Sequence, residues 1–353
     1  MPACEAGQLC HGDYKALIRP RGGGGLVGEL FPDSLDFTRV VDATSEAGLR
    51  IVERADRCAE LIPEVEPWEH ELHLIRNGDL VWVGPVVDTD DNTDGFSLQA
   101  RDLTQWLARR FLPFDRSQEL DLGLIYRQYV EDAMAEDPSP NIVVNPQPIG
   151  LVGKRSVKAS QFRIAADEIR EIATTGLDYT TVGRDIVLGG IEVPTGTIPT
   201  LYDEHVLWAG RQKAGLQATN DLACVGQGAG ADGSPLVGRV GATAGQLEKH
   251  GLLQRFFSES AIQDQDSCTL AATTRHDLLA PVPRYYMVRP GPTAPLDFNQ
   301  LVAGGIGDLH VQTGHSRADG TFRLRDLTVT WQAATGDETI TCQYEAVGTV
   351  SVG

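Results

Sequence analysis

The 353-residue chain lacks most of the signals that place a protein in a membrane, an oxidising compartment or a known class of enzyme. It contains no run of about 18 uninterrupted apolar residues, so no membrane-spanning helix is expected. Its start, Met1 to Gly7, has neither a basic nor an apolar segment. No secretory leader is expected there, and folding in a cytoplasm is. Cysteine is sparse, at positions 4, 10, 58, 224, 268 and 342. Scattered thiols in a reducing compartment do not form structural disulfides. Cys4, Cys10 and His11, with or without Cys58, could hold zinc, but the gap between Cys4 and Cys10 falls outside the usual knuckle spacing. Small packed or surface thiols are the alternative.

Positive charge is scarce as well. Thirty Lys and Arg stand against 49 Asp and Glu, a formal charge of −19. Adhesive nucleic-acid binding needs cations that replace phosphate counterions, and this balance argues against it. With 41% hydrophobic and 22% charged residues the composition is that of a folded globular chain. At this length two or three domains are expected.

Catalytic motifs are absent or out of context. Gly23 to Gly28 fits a GxGxxG pattern, but Phe31-Pro32-Asp33 follows and no helical period begins, so the stretch reads as a flexible loop. Gly153-Lys154-Arg155-Ser156 is too short for a phosphate loop and reads as a basic loop. His70 and His73 are not the i, i+4 pair of a zinc helix, and on a strand they face opposite sides. No Gly-x-Ser-x-Gly elbow is present. Asp88, Asp90, Asp91 and Asp94 crowd a hairpin tip, yet Gln99 stands where a calcium loop carries its twelfth-position Glu. A solvated tip is the reading. No catalytic, cofactor-binding or metal-ligating residue is assigned, and no cofactor is expected.

What the chain does have is β pattern. Leu72, Leu74, Leu80 and Trp82 alternate with other residues around Asn77-Gly78, the dipeptide of a tight primed turn, and predict a hairpin. Strands are also predicted at 14–18, 34–41, 48–53 and 95–100, then a helix over 102–110 with Leu103, Trp106 and Leu107 on one face. Trp82 and Trp106 are expected to be buried in this first unit. Helices follow at 120–136, with Leu124, Ile125, Tyr129 and Met134 at helical spacing, and at 161–174, with Phe162, Ile164, Ala165, Ile169 and Ile172 as its core face. Short strands at 178–182 and 185–188 complete a small α+β module. Beyond it come strands at 218–226, 284–288, 309–312, 321–324, 327–331 and 339–344, interrupted by a helix at 263–279.

Three segments carry a resemblance. Ser34-Leu35-Asp36-Phe37-Thr38-Arg39-Val40-Val41-Asp42 is followed by the hairpin with its Pro67-Trp68 entry, Arg76-Asn77-Gly78 turn and Val81-Trp82-Val83-Gly84-Pro85 exit. Ala100-Arg101-Asp102-Leu103-Thr104-Gln105-Trp106-Leu107 comes next. In this order, over residues 34 to 110, they resemble the minor tail proteins of long-tailed, non-contractile phages (siphophages), the tail-tip or baseplate hub proteins found especially in actinobacteriophages. The likeness recurs at Leu177-Asp178-Tyr179-Thr180-Thr181-Val182-Gly183-Arg184, and more loosely at Asn220 to Gly228.

The resemblance implies an α+β, mainly β fold, with two β-barrel-like tail-tube/hub domains and a small α+β domain between them. The expected boundaries are 1–113, 114–200 and 201–353. It further implies a structural virion protein at the tail tip, assembled in the host cytoplasm as a homotrimeric ring. Its partners would be the distal tail protein, the tape measure protein and the receptor-binding proteins of the tip. Phage DNA would pass through without specific binding along an acidic wall, for which Asp88 to Asp94 and Asp132 to Asp137 are candidates. Arg109-Arg110 and Lys154-Arg155 would then face protein neighbours or solvent. Asp94-Gly95-Phe96-Ser97-Leu98 echoes Asp319-Gly320-Thr321-Phe322-Arg323-Leu324, as a duplicated hub domain would leave behind. The rival readings are a tail-associated cell-wall hydrolase and a carbohydrate- or host-surface-binding module.

Overall fold

The computed structural model describes residues 12–52, 61–145, 148–190, 193–229, 234–259, 262, 264–280, 282–295 and 297–347. Cys4, Cys10, His11 and Cys58 lie outside the described residues. The first unit consists of β1 (Tyr14–Pro20), β2 (Gly28–Leu30), β3 (Ser34–Val40), β4 (Glu46–Ile51), β5 (His70–Arg76), β6 (Asp79–Asn92) and β7 (Gly95–Arg101). Asn77 and Gly78 both have positive φ, 53° and 98°, as the primed turn between β5 and β6 requires. A slip in register places Leu74 opposite Trp82 but Ile75 opposite Leu80. The hairpin therefore departs from simple alternation, and Leu80 is exposed.

The middle of the chain holds β8 (Arg116–Asp121), α1 (Leu122–Met134), β9 (Val143–Val144), β10 (Val152–Val157), α2 (Ala165–Ala173), β11 (Leu177–Val182) and β12 (Asp185–Gly190). The last part holds β13 (Leu201–Tyr202), β14 (Val206–Lys213), β15 (Asp221–Ala229), β16 (Pro235–Val240), α3 (Ala244–His250), β17 (Gln254–Glu259), α4 (Gln265–Leu279), β18 (Arg284–Pro290), β19 (Ile306–Thr313), β20 (Ser316–Gln332) and β21 (Asp337–Ala346). The two expected strands at 321–324 and 327–331 are one strand, β20, which carries a bulge near Leu324 and Asp326 where it pairs with β21.

The fold is mainly β with large antiparallel sheets, as expected. The two β-rich ends are not separately closed barrels among the described residues. They are joined in one 13-stranded ladder, ordered β14-β18-β21-β20-β3-β4-β7-β6-β5-β1-β2, with β13 and β19 attached at β20. The seam is β20 against β3, from Asp326 opposite Val40 to Gln332 opposite Ser34. Both halves feed one core. Ile18, Leu35, Phe37, Leu72 and Trp82 from the first unit pack in the same cluster as Tyr286, Phe322, Val329 and Tyr344 from the last.

A second core belongs to the middle elements, and the segment after β7 contributes to it. Leu103–Arg109 is 3-10 helix rather than α-helix. Its i→i+3 bonds, such as Gln105 N–H to the Asp102 carbonyl, stack Leu103 and Trp106 on one side. Trp82 and Trp106 are both buried, but in different cores. In α1 the core face is Ile125, Tyr126, Tyr129, Val130 and Ala133, and Leu124 is exposed. The next helix starts later than the pattern predicts, because Phe162 adopts a left-handed conformation (φ 50°, ψ 44°) that ends a 3-10 turn. Phe162 is exposed instead of buried, and Ala165, Ile169 and Ile172 form the inner face of α2. A third, small core, with Cys224, Leu236, Cys268 and Ala271, holds α4 against the sheet β16-β15-β17.

Candidate functional site

Among the described residues no group of three or more His, Cys, Asp or Glu side chains is arranged to hold a metal ion. His70 and His73 are both buried in sheet packing. His70 Nδ1 accepts from Glu66 N–H at 3.0 Å, and His73 Nε2 lies 3.4 Å from Glu71 Oε2. Glu71, fully buried, also accepts from both Arg184 Nη atoms, at 3.0 and 2.5 Å, and from Gly22 N–H at 3.0 Å. The glycine segment expected to be a flexible loop is thus pinned at its start. A Cβ on Gly22 would meet the Ser139 carbonyl oxygen at 2.1 Å, so only glycine fits.

The densest ionic cluster sits where all three parts of the chain meet. Arg323 of β20 donates to Asp178 of β11 and to Glu345 of β21, and Arg325 donates to Glu345 at 3.2 Å. Asp42, just after β3, exchanges two bonds with Tyr179: its N–H donates to the Tyr179 carbonyl, and its carboxylate accepts from Tyr179 N–H, both at 3.0 Å. Burial, then the Asp178 charge, pushes the Asp42 carboxyl well up. Burial also raises Asp178, against the opposing pull of Arg323. Arg323 stays firmly protonated, because the Asp178 and Glu345 carboxylates outweigh its own burial. A cavity of about 330 Å³ opens beside these groups and is lined also by Arg170, Thr274 and Arg275. A buried pair such as Arg323 with Asp178 and Glu345 adds little over apolar packing, but removing one partner leaves a buried charge uncompensated.

A second groove runs between α2 and β17. It is lined by Glu168, Arg170, Glu171, Ser258, Glu259 and Arg275. Burial, reinforced by the nearby Glu171 charge, pushes Glu168 up to about 7. Burial does the same to Glu259, to about 7, although Arg275 lies 3.2 Å away. Arg155, expected to face solvent or a neighbour, is fully buried beneath this groove. It donates to the Lys154 carbonyl at 3.0 Å and to Thr175 Oγ1 at 3.1 Å, and burial lowers its pKa. Nothing in the local sequence separates this arginine from its exposed neighbour Lys154.

Two more expected surface groups are committed internally. Asp132 is buried in a bidentate pair with Arg116, at 2.8 and 2.7 Å, and Asp137 bridges Arg110 at 2.7 Å and Arg21 at 3.6 Å. Both carboxylates are taken up by arginine partners. Arg109 stacks over Trp68, whose ring meets Trp106 edge-on at 5.3 Å. Asp88, Asp90, Asp91 and Asp94, by contrast, are all exposed on the β6–β7 hairpin.

The surface is uneven in another way. Leu207, Trp208, Leu216, Val237, Leu247, Leu252 and Phe256 are exposed large apolar side chains of the segment 206–256. A second exposed apolar spot is the edge-on pair Phe111–Phe162, with ring centroids 5.8 Å apart. Sequence periodicity could not reveal these positions, since it marks apolar residues without saying which remain uncovered. No helix among the described residues is long and apolar enough to cross a membrane.

No protein-family model matches the sequence, and no curated protein does. Solved structures do. The 43 kDa tail protein of prophage MuSo2 from Shewanella oneidensis superposes with a TM-score of 0.63 at 12% identity, covering 94% of this chain and 98% of that one. A tail protein from Neisseria meningitidis gives 0.64 at 13% identity, covering 94% and 96%. An Escherichia coli component of the type VI secretion system, described as similar in structure to the T4 bacteriophage tail proteins gp27 and gp5, gives 0.54 at 8% identity over 95% of this chain and 77% of that one. At such identities the likeness shows the fold, and the fold is that of phage tail proteins.

Proposed function

We propose that the chain is a structural hub at the distal tip of a siphophage tail, where it ends the tail tube, anchors the tip and receptor-binding proteins, and forms the channel through which DNA leaves. The observation that carries this reading is the length of the match: 94% of this chain aligns with 98% and 96% of two tail proteins. A shared piece of sheet would not give coverage that is nearly complete on both sides. The shared core and the β3–β20 seam support it, because a ring subunit that bears load along a tail needs its two β units to move as one body.

In this role the molecule breaks no bond. It works as a homotrimer in contact with the distal tail protein and the tape measure protein, assembled in the host cytoplasm. Its excess of acids, −19 overall, lets a polyanion slide without counterion-releasing attachment. Immunogold electron microscopy of the virion tests the placement: label at the tail tip is expected, and label confined to the head or absent from particles overturns it. A wall of the pore dominated by Lys and Arg would overturn the sliding argument alone.

One observation favours a second reading, a host-surface-binding module. Phe162 is 68% exposed and held in a left-handed conformation against the 55% exposed Phe111, a rigid aromatic pair presented to solvent. Pull-down on host cell walls, lost in Phe162→Ser, would support it. Turbidity loss of a cell-wall suspension would instead favour the hydrolase reading.

A further inference from the structure

Among the described residues, β14 and the second half of β6 each pair with a strand on one side only, and they carry opposite charges. β14 ends the ladder and pairs only with β18. Its regular part, from Ala209 to Lys213, bears Arg211 and Lys213 on one face, and neither has a carboxylate partner among the described residues. The other strand is β6. Its first half, Asp79 to Pro85, is paired with β5, and its second half is paired only with β7 on the opposite side. Beyond Pro85, Trp68 N–H closes the β5 side of β6 at the Val86 carbonyl, at 2.8 Å, and from Asp88 on no strand among the described residues pairs with that side. That stretch carries the exposed Asp88 and Asp90.

We infer that copies of this chain associate head to tail by strand pairing, the β6 edge around Asp88 to Asp90 of one copy adding to the β14 edge around Arg211 to Lys213 of the next. The inference rests on the hub reading above and names the contact that would build its ring. Side chains on a strand repeat every two residues, so Asp88 and Asp90 share one face, as Arg211 and Lys213 do. An antiparallel register that sets Arg211 opposite Asp90 puts Lys213 opposite Asp88 and Gln212 opposite Thr89. Both charged pairs then fall on the same side of the new ladder.

The charges also select against the other pairings open to these edges. β14 against a second β14 would oppose cations with cations, and β6 against a second β6 would oppose carboxylates. Like charges directly opposite are destabilising, so isologous dimers through either edge are disfavoured. A contact between two different surfaces of the same chain is heterologous, and it closes into a ring when the rotation permits. Uncovered strand edges invite uncontrolled pairing unless something blunts or matches them. Here opposite charges do the matching. This assignment removes Asp88 and Asp90 from the acids free to line a channel.

The test uses the full chain and edge charge reversal. Asp88→Lys/Asp90→Lys and Arg211→Glu/Lys213→Glu should each raise the concentration midpoint of association by at least about tenfold, from the loss and reversal of two cross-strand pairs. The four-fold variant, with both edges reversed, should return to the wild-type midpoint. Light scattering over a concentration series reads the midpoint, and thermal melting checks that each variant is folded. If wild type forms rings and reversal of either edge leaves the midpoint unchanged, the edge pairing is wrong while the hub reading stands. The same holds if the four-fold variant fails to recover. If wild type stays monomeric at all concentrations, the edge pairing is overturned, and the hub reading is decided separately by the position of the label on the virion.

Discussion

The shared β-sheet core and the small unit built on β15, β16, β17 and α4 show what the same chain does with apolar residues under two conditions. In the long ladder Phe37, Phe96, Phe322 and Tyr344 are all buried to within 1% exposure, and strands from both ends of the chain enclose them. In the small unit the inner face of the sheet is closed by α4 through Cys224, Cys268 and Ala271, while Phe256 of β17 and Val237 of β16 stay exposed. A single helix can cover one face of a short sheet and no more. The ladder therefore concentrates stability, and the small unit together with β14 concentrates uncovered apolar surface. Surface of that kind is where neighbours bind.

The sharpest way to break this contrast is to truncate one large side chain in each region. Trp82→Ala in the shared core should cost about 3–5 kcal/mol, and Trp106→Ala in the middle core a similar amount. Denaturant unfolding followed by fluorescence or circular dichroism reads either value. A loss below about 1 kcal/mol for Trp82 would mean that the two β units do not pack as described.

The next effect concerns the ionic junction. Arg323→Ala leaves Asp178 and Glu345 buried without their cation, and about 3–5 kcal/mol should be lost. Adding Asp178→Asn and Glu345→Gln should recover most of it, because the uncompensated charges are then gone. No recovery would show that the guanidinium contributes by packing and not by pairing.

A smaller effect follows from the groove carboxyls. Unfolded glutamate ionises near 4.5, whereas folded Glu168 and Glu259 hold their protons to about 7. Their contribution to stability is fully present below about 4.5 and is lost as the pH rises through about 7. Melting temperature should fall across that window, and Glu168→Gln/Glu259→Gln should flatten the slope. An unchanged slope in the double variant would put the titration elsewhere.

The smallest effect is expected on the exposed side of the small unit. Phe256→Ser should change the unfolding free energy by less than about 0.5 kcal/mol, as for surface substitutions generally. A cost comparable to that of Trp82→Ala would erase the distinction between the two regions.

Local pattern made much of the secondary structure legible. The Asn77-Gly78 turn, the β7 strand, the β11–β12 hairpin and α4 stand close to where alternation, turn chemistry and helical spacing place them. Errors occurred where tertiary contact overrode the local signal. Phe162 and Ile164 fit a helical face, but backbone pairing of Leu112 with Arg163 and of Ala165 with Arg110 holds that stretch extended before α2 begins. β14, β16 and β17 escaped prediction because short strands with exposed apolar residues carry no clean two-residue period.

Sequence by itself determined the mainly β class, the absence of a long apolar helix and the negative charge, because each depends on composition or on spacing along a few residues. Tertiary structure alone decided that β20 pairs with β3, that Arg155 and Glu71 are buried while Lys154 and Asp88 are exposed, and that Asp132 is locked to Arg116. These are contacts between residues far apart in the chain. Their energies depend on burial and on the partner supplied, which no local window of sequence contains.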